Sequence, residues 1–138
     1  MRDQPFTCDE PSRSSGRLTT DKILPVGRRL LLVEDNFHIA KLMAENLEAQ
    51  GVEVIGPAGT VESALALIAD VERIDGAAID INLRGEMAYP VIDVLRAKAV
   101  RTVILTGYDP KSIASDYADV PCMLKPVKIE HLLEILFK

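Results

Sequence analysis

Five residues with charged or reactive side chains each stand at the end of a short apolar run in this 138-residue sequence. Glu34 and Asp35 follow LLLV, Asp80 closes GAAID, Thr106 closes TVILT, and Lys125 follows CML. Runs of this kind are typical of strands buried in a parallel sheet. Because parallel strands all end at one edge, where α/β proteins bind their ligands, the five side chains are expected to lie together.

Three carboxylates at one edge of a sheet need positive charge. Two unit charges about 4 Å apart repel by roughly 4 kcal/mol at an effective dielectric constant of 20. A hard divalent ion offsets this repulsion, and Mg²⁺ favours one or two carboxylates together with water and phosphate oxygens. A carboxylate beside such an ion and a lysine can attack a phosphoryl group and form an aspartyl phosphate. The ion, an ammonium group and a hydroxyl donor then stabilise the charge that develops on the phosphoryl oxygens.

The elements that must position these residues alternate along the chain. Apolar residues recur at helical spacing after each apolar run, and capping residues and glycines mark the boundaries. The predicted strands are 30–33, 52–55, 76–80, 102–105 and 122–124, and the predicted helices are 36–50, 60–69, 88–97, 110–117 and a last one through residues 129–136. Five strands alternating with five helices indicate a doubly wound α/β fold with a parallel sheet.

Composition limits the possible functions. Hydrophobic residues make up 48% of the chain and aromatic residues only 4%, so the core is expected to be aliphatic. A net charge of −5 argues against nucleic acid as the main partner, because binding to a phosphate backbone needs a basic face. No apolar run is long enough for a membrane span or a signal peptide, so neither is expected.

The beginning of the chain differs from the rest. Residues 1–27 are rich in polar residues and proline without a sustained period, which predicts a flexible extension before a single domain over residues 28–138. Cys8 lies in this extension and Cys122 in an apolar run, so a structural disulfide is not expected. Unpaired cysteines are typical of a reducing compartment, and a cytoplasmic location is predicted.

Four motifs resemble those of the CheY-like receiver domains of bacterial two-component response regulators. They are LLLVEDN (30–36), AAIDINL (77–83), VILTGY (103–108) and MLKP (123–126), and the resemblance covers residues 29–137. No single motif is specific, but their order and their positions at strand ends are. The resemblance implies a flavodoxin-like fold with strand order 2-1-3-4-5 and five flanking helices.

The resemblance also implies a role for each residue of the cluster. Asp80 would be the phosphoacceptor and a metal ligand. Asp35 would bind Mg²⁺ directly and Glu34 through water, and the backbone carbonyl of Asn82 would complete the ligands that the chain provides.

Other residues would bind the phosphoryl group and report its presence. Thr106 would bond to it, Lys125 would pair with one of its oxygens, and the Lys125–Pro126 bond would be cis. Receivers usually carry an aromatic residue three positions before the lysine, where this chain has Cys122, so Tyr108 is the first candidate for the switch. The LTGY sequence partly matches the FATGUY group of mostly single-domain receivers.

The predicted function is that of a single-domain receiver. It would take a phosphoryl group from a histidine kinase or phosphotransfer protein, which docks on the first helix at Phe37 and Ile39, and would signal by binding a downstream protein. Its only chemistry would be self-phosphorylation and autodephosphorylation, so it would not be an enzyme. Residues 108–120 would be mobile and would become ordered on phosphorylation. Asn82 and Tyr108 would set the lifetime of the phosphate.

Two alternatives are open. Haloacid-dehalogenase-like phosphohydrolases also combine an Asp nucleophile, Thr or Ser, Lys and Mg²⁺, and turnover of a generic phosphate monoester would favour one. Their nucleophile typically follows the first strand, with a second Asp two residues on, whereas position 82 here is Asn. The other alternative is a phosphorylation-incompetent binding module, which the lack of any phosphoryl adduct would favour. The sequence leaves the oligomeric state open.

Overall fold

A parallel sheet of five strands forms the centre of the protein. The computed structural model describes residues 26–138, so the predicted extension, apart from its last two residues, lies outside the described residues, as does Cys8. The strands are β1 (Arg29–Val33), β2 (Glu53–Ala58), β3 (Gly76–Asp80), β4 (Asn82–Leu83), β5 (Glu86–Met87), β6 (Arg101–Thr106) and β7 (Cys122–Leu124). The helices are α1 (Phe37–Ala49), α2 (Val61–Asp70), α3 (Tyr89–Ala97) and α4 (Ile129–Phe137).

The order of strands in the main sheet is β2-β1-β3-β6-β7, and all neighbours are parallel. This is the order 2-1-3-4-5 once the strands of the main sheet alone are counted, and it confirms the predicted doubly wound fold. A second, two-stranded antiparallel sheet joins β4 to β5 between β3 and α3. This hairpin is not among the elements predicted from the sequence.

Side chains that alternate along each strand build one core on either face of the sheet. Leu31 and Ile79 pack with α2 and α3 on one face, while Leu32 and Ala78 pack with α1 and α4 on the other. Two faces covered by helices explain why β3 is buried at every residue and why its sequence shows no polar alternation.

The first two helices begin where the sequence provides side-chain caps. The Asn36 side chain accepts a hydrogen bond from the Ile39 amide at the start of α1. At the start of α2, Thr60 and Ser63 bond to each other's backbone amides in a capping box. These caps fix the residues at which the chain leaves β1 and β2, and so hold the loops beside the strand ends.

The prediction of five helices is wrong, because the described chain has four α-helices and the predicted helix at residues 110–117 is absent. Residues 110–117 instead form two 3₁₀ turns, Pro110–Ser112 and Ser115–Tyr117. Only 18 positions separate Thr106 from Lys125. A helix limited to residues 110–117 forms few hydrogen bonds, and these do not offset the free-energy cost of ordering its first turn. A 3₁₀ turn closes with a bond between residues three apart, as from Ile113 N–H to the Pro110 carbonyl, so it fits the available length.

Candidate functional site

The strand ends bring the predicted acidic residues together. Glu34 and Asp35 follow β1, and Asp80 ends β3, the strand that pairs with β1. One carboxylate oxygen from each of these residues lies within 4.8 Å of the others. This set of three hard oxygen donors fits a divalent cation such as Mg²⁺, which prefers carboxylate ligands and retains water.

Lys125 lies between two of the acidic residues. Its Nζ donates hydrogen bonds of 2.8 Å to Glu34 Oε1 and of 2.8 Å to Asp80 Oδ2. Its backbone N–H donates to the Thr106 carbonyl at 2.8 Å, which ties the residue after β7 to the end of β6. The Lys125–Pro126 peptide bond is cis. Hydrogen bonds of both the backbone and the side chain of Lys125 therefore hold its ammonium group against Asp80.

Burial and charge shift the pKa values of Glu34 and Lys125. Burial raises the pKa of Glu34 above its ordinary value; hydrogen bonds from Lys125 and the Asn36 amide lower it, and the charge of Asp80 adds to the rise. Burial alone would lower the pKa of Lys125, but its hydrogen bonds to Asp80 and Glu34 outweigh burial and leave that pKa raised. Two carboxylates raise the pKa of Lys125. Glu34 has one ammonium partner, Lys125, which lowers its pKa, and a like-charged neighbour, Asp80, which raises it.

Asp80 is held at both carboxylate oxygens. Oδ2 accepts from Lys125, and Oδ1 accepts from the backbone N–H of Asn82 at 3.2 Å. The residue is 5% exposed, so the carboxylate lies at the edge of the core and is reachable from one side. A group fixed in this way is oriented before any donor arrives, which is the arrangement that nucleophilic attack requires.

Asn82 has a second role that the sequence analysis did not predict. Its side-chain Oδ1 accepts a hydrogen bond of 2.7 Å from the Gly85 amide and so closes the turn between β4 and β5. This bond commits the amide oxygen to the hairpin. The Asn82 side chain, which is predicted to help set the lifetime of the phosphate, is therefore also part of the hairpin.

Thr106 and Tyr108 form a local turn at the end of β6. The Thr106 hydroxyl accepts a hydrogen bond of 3.0 Å from the Tyr108 amide, and Thr106 as a whole is 1% exposed. The Tyr108 side chain extends outward, and the residue is 67% exposed. Thr106 lies at the end of β6, where its carbonyl accepts from the Lys125 amide, but its hydroxyl is hydrogen-bonded to Tyr108 and not to the acidic residues.

Cys122 packs where the usual switch aromatic was expected. The residue is half-buried against the core on the α2 and α3 side, and burial raises the pKa of its thiol. A protonated, half-buried thiol is a small packing group and a poor nucleophile.

Contacts with α3 hold the second half of the segment that follows β6. The Tyr117 ring stacks on the Tyr89 ring at a centroid distance of 4.4 Å, and its hydroxyl donates to Asp93 at 2.8 Å. The Tyr89 hydroxyl accepts from the Ala114 amide at 2.9 Å. This set of contacts, here named the tyrosine latch, fixes residues 114–117 on α3.

Arg96 strengthens the tyrosine latch from the same helix. Its guanidinium lies 5.0 Å from the centroid of the Tyr117 ring and donates to the Asp116 carbonyl at 3.1 Å. It also forms an ion pair with Asp119. The latch therefore combines ring stacking, a cation–π contact and hydrogen bonds, all near the surface.

Arg84 is a neighbour of the site that the sequence analysis missed. It lies in the turn of the β4–β5 hairpin, and its Nε is 3.6 Å from Asp35 Oδ2. The available signal in the sequence is a basic residue four positions after Asp80 that is followed by a glycine, Gly85. Only the folded hairpin shows that this turn bends back over the acidic residues.

An apolar cavity opens beside the acidic residues. Its volume is about 450 Å³, and Phe37 and Ala40 of α1 line it together with Pro57 of β2. Phe37 is 72% exposed, Leu42 60% and Ile39 42%. Helix α1 thus exposes apolar side chains, of which Phe37 lies beside Glu34 and Asp35. No helix among residues 26–138 is long and apolar enough to cross a membrane.

Comparison with known proteins identifies relatives of this architecture. No protein-family model matches the chain. The transcriptional regulatory protein PdtaR of Mycobacterium tuberculosis is 28% identical over 119 residues, which are 83% of this chain and 58% of PdtaR. The chain therefore spans a little more than half the length of this relative.

Solved structures share the fold. SdrG from Sphingomonas melonis is 34% identical, with a TM-score of 0.68 over 79% of this chain and 92% of SdrG. A response regulator from Burkholderia pseudomallei is 24% identical, with a TM-score of 0.69 over 79% of this chain and 66% of its own. The sheet order, the residues at its carboxyl edge and these relatives agree, and the chain belongs to the CheY-like receiver domains of two-component response regulators.

Proposed function

We propose that this receiver accepts a phosphoryl group on Asp80, with Mg²⁺ held by Glu34, Asp35, Asp80 and the Asn82 carbonyl. The observation that carries the proposal is the contact of Lys125 Nζ with Asp80 Oδ2, at 2.8 Å, within a cluster of three carboxylates. In this arrangement the buried carboxylate of Asp80 provides the nucleophile, and Lys125 provides a partner for a phosphoryl oxygen.

The transfer is a displacement at phosphorus. An Asp80 carboxylate oxygen forms the new O–P bond while the P–N bond of a phosphohistidine breaks. The bonding electron pair stays on the imidazole nitrogen, which takes a proton from water. When bound, Mg²⁺ supplies positive charge to the phosphoryl oxygens. Lys125 exchanges its contact with Asp80 Oδ2 for one with a phosphoryl oxygen, and Thr106 turns its hydroxyl toward the same group.

Two relatives support this chemistry. The Burkholderia pseudomallei response regulator is described with a phosphorylated aspartic acid and a calcium ion. SdrG is described in a BeF₃-activated conformation, and that structure is 34% identical to this chain. A calcium ion and a phosphorylated aspartate in one protein of the same fold are consistent with Mg²⁺ and phospho-Asp80 here.

Receiver domains of response regulators interact with kinases or phosphotransfer proteins. We infer that the donor of this chain is one of these, acting in the cytoplasm, and that it docks on the start of α1. Phe37 is 72% exposed and lines the cavity beside Glu34 and Asp35, and Ile39 is 42% exposed. Phosphorylation then alters the surface around β7 and α4 that a downstream protein binds. The chain performs self-phosphorylation and autodephosphorylation but turns over no separate substrate.

Intact-mass measurement after incubation with acetyl phosphate and Mg²⁺ tests the proposal. The wild-type chain should gain one phosphoryl group, and Asp80→Asn should gain none. Asp70→Asn makes the same chemical change at the exposed end of α2 and should behave as wild type. An adduct that persists in Asp80→Asn, or no adduct on wild type with any small phosphodonor, would overturn the assignment. Sustained hydrolysis of p-nitrophenyl phosphate would instead indicate a phosphohydrolase.

A further inference from the structure

The turn between β4 and β5 holds an arginine in an unusual backbone conformation. Arg84 has φ +56° and Gly85 has φ +94°, so both central residues of the two-residue turn are left-handed. Turns of this type favour asparagine or glycine at the first position, because the left-handed region crowds a Cβ and, among residues that have one, asparagine adopts it most readily. The Asn82–Gly85 hydrogen bond of 2.7 Å and the pairing of Leu83 with Glu86 hold the turn closed.

This conformation aims the Arg84 side chain at a predicted metal ligand. The guanidinium Nε lies 3.6 Å from Asp35 Oδ2, and Nη2 donates to the Asp35 backbone carbonyl at 3.4 Å. The Arg84 side chain is 79% exposed, whereas that of Asp35 is 19% exposed. Contacts this long and this exposed are weak, so the guanidinium can leave Asp35 without disturbing the core.

The charges of the site then divide into two pairs. Lys125 bonds to Glu34 and Asp80, and Arg84 contacts the remaining acidic residue, Asp35. Every carboxylate of the cluster therefore has a cationic partner from the chain itself. A divalent ion that binds Asp35 has to replace the guanidinium, whose charge would otherwise repel it.

We propose that Arg84 competes with the divalent cation for Asp35 and thereby lowers the Mg²⁺ affinity of the unphosphorylated receiver. This inference rests on the proposed function, because it assumes that Glu34, Asp35 and Asp80 hold the ion. Its consequence is that the chain becomes competent for phosphorylation only at a Mg²⁺ concentration sufficient to displace Arg84.

The expected size of the effect follows from the strength of an exposed ion pair. A pair worth 0 to about 1 kcal/mol leaves Asp35 free for roughly half to one sixth of the time. The apparent affinity for the ion falls by the same fraction. Removing the guanidinium should therefore tighten Mg²⁺ binding by about two- to sixfold.

Titration of the full unphosphorylated chain with MgCl₂, followed by NMR of the backbone amides, measures this affinity without any phosphoryl transfer. Arg84→Asn removes the charge and suits the left-handed turn, and Arg84→Ala is the second variant. Both should bind Mg²⁺ more tightly than wild type, and the difference should shrink as KCl is raised. Arg73→Ala removes one positive charge at the opposite end of the sheet, where Arg73 pairs with Asp75, and should bind as wild type.

The outcomes separate the two proposals. Equal or weaker Mg²⁺ binding by Arg84→Asn and Arg84→Ala, with wild type binding normally, would overturn the role of Arg84 alone. Lack of Mg²⁺ binding by wild type would overturn the metal site and this inference with it. Tighter binding by Arg73→Ala to the same extent would show a general charge effect and would also overturn the competition.

Discussion

The two sides of the carboxyl edge of the sheet are held in different ways. Around Asp80, buried acidic residues contact a lysine whose backbone is anchored to β6. After Thr106, the chain forms short 3₁₀ turns near the surface and is held by the tyrosine latch on α3. The first region is fixed by the sheet itself, and the second by a few side chains. The region around Asp80 should therefore resist mutation of its surroundings, while the region after Thr106 can change position at a low free-energy cost.

The largest effect is expected from Lys125→Met, which tests how strongly the first region depends on one charge. The substitution leaves Glu34 and Asp80 close together without their shared ammonium group. We expect the free energy of unfolding to fall by about 2 kcal/mol, less than for a fully buried pair because the Lys125 side chain is 25% exposed. Urea denaturation measures the loss, and added Mg²⁺ should restore more stability to the variant than to wild type.

The control for this experiment is Lys128→Met, at the exposed start of α4. It removes the same charge without touching the acidic residues. Equal denaturation midpoints for the two variants would show that the site does not depend on Lys125 for its stability.

A smaller and more local effect is expected from Asp93→Asn, which weakens the tyrosine latch. Hydrogen exchange at residues 113–120 should accelerate, while exchange in β3 should stay unchanged. Tyr108→Phe alters an exposed ring outside the latch and serves as the control. If exchange accelerates equally in β3, the two regions unfold together and the contrast between them is wrong.

The latch should also respond to pH. The hydrogen bond to Asp93 is the main cause of the raised pKa of Tyr117, and burial adds to it. A group with a raised pKa in the folded chain stabilises it below the unfolded pKa and loses that contribution as pH rises through the folded value. The segment should therefore loosen only at alkaline pH above the ordinary tyrosine range. Ultraviolet titration should show that the high-pKa tyrosine of wild type returns toward its ordinary value in Asp93→Asn.

The smallest effect is expected from Tyr108→Ala. If the Tyr108 ring screens the acyl phosphate from water, its removal should speed dephosphorylation by less than about tenfold, equivalent to about 1.4 kcal/mol. Stability should hardly change, since Tyr108 is 67% exposed. The decay of phospho-Asp80 can be followed by intact mass, and an unchanged rate would contradict the screening role.

The sequence predicted the first region better than the second for a physical reason. Asp80 closes a strand whose burial on both faces leaves an unbroken apolar run, so its position at the sheet edge follows from local pattern and parallel topology. Asp109 and Pro110 carry equally clear helix-start signals, and Asp109 does cap a turn there. Local signals do not show whether enough chain follows to complete a helix, and here it does not.

Arg84 shows a second limit. Its contact with Asp35 depends on a left-handed turn that the Asn82 side chain closes, and neither residue type predicts that pairing alone. The FATGUY assignment and the mobility of residues 108–120 stay predictions, although the latch shows that residues 114–117 already contact α3 in the unphosphorylated chain.

The two outer strands of the main sheet limit how copies of the chain can associate. At one edge, β7 is only three residues long, and at the other, β2 contains Pro57, which has no N–H to donate. Among residues 26–138, neither edge offers a long row of free hydrogen-bonding groups to a neighbouring molecule, a device by which sheet proteins avoid aggregation. If copies of this receiver pair, they should therefore do so through their helices, and the sheet should remain five strands wide in any assembly.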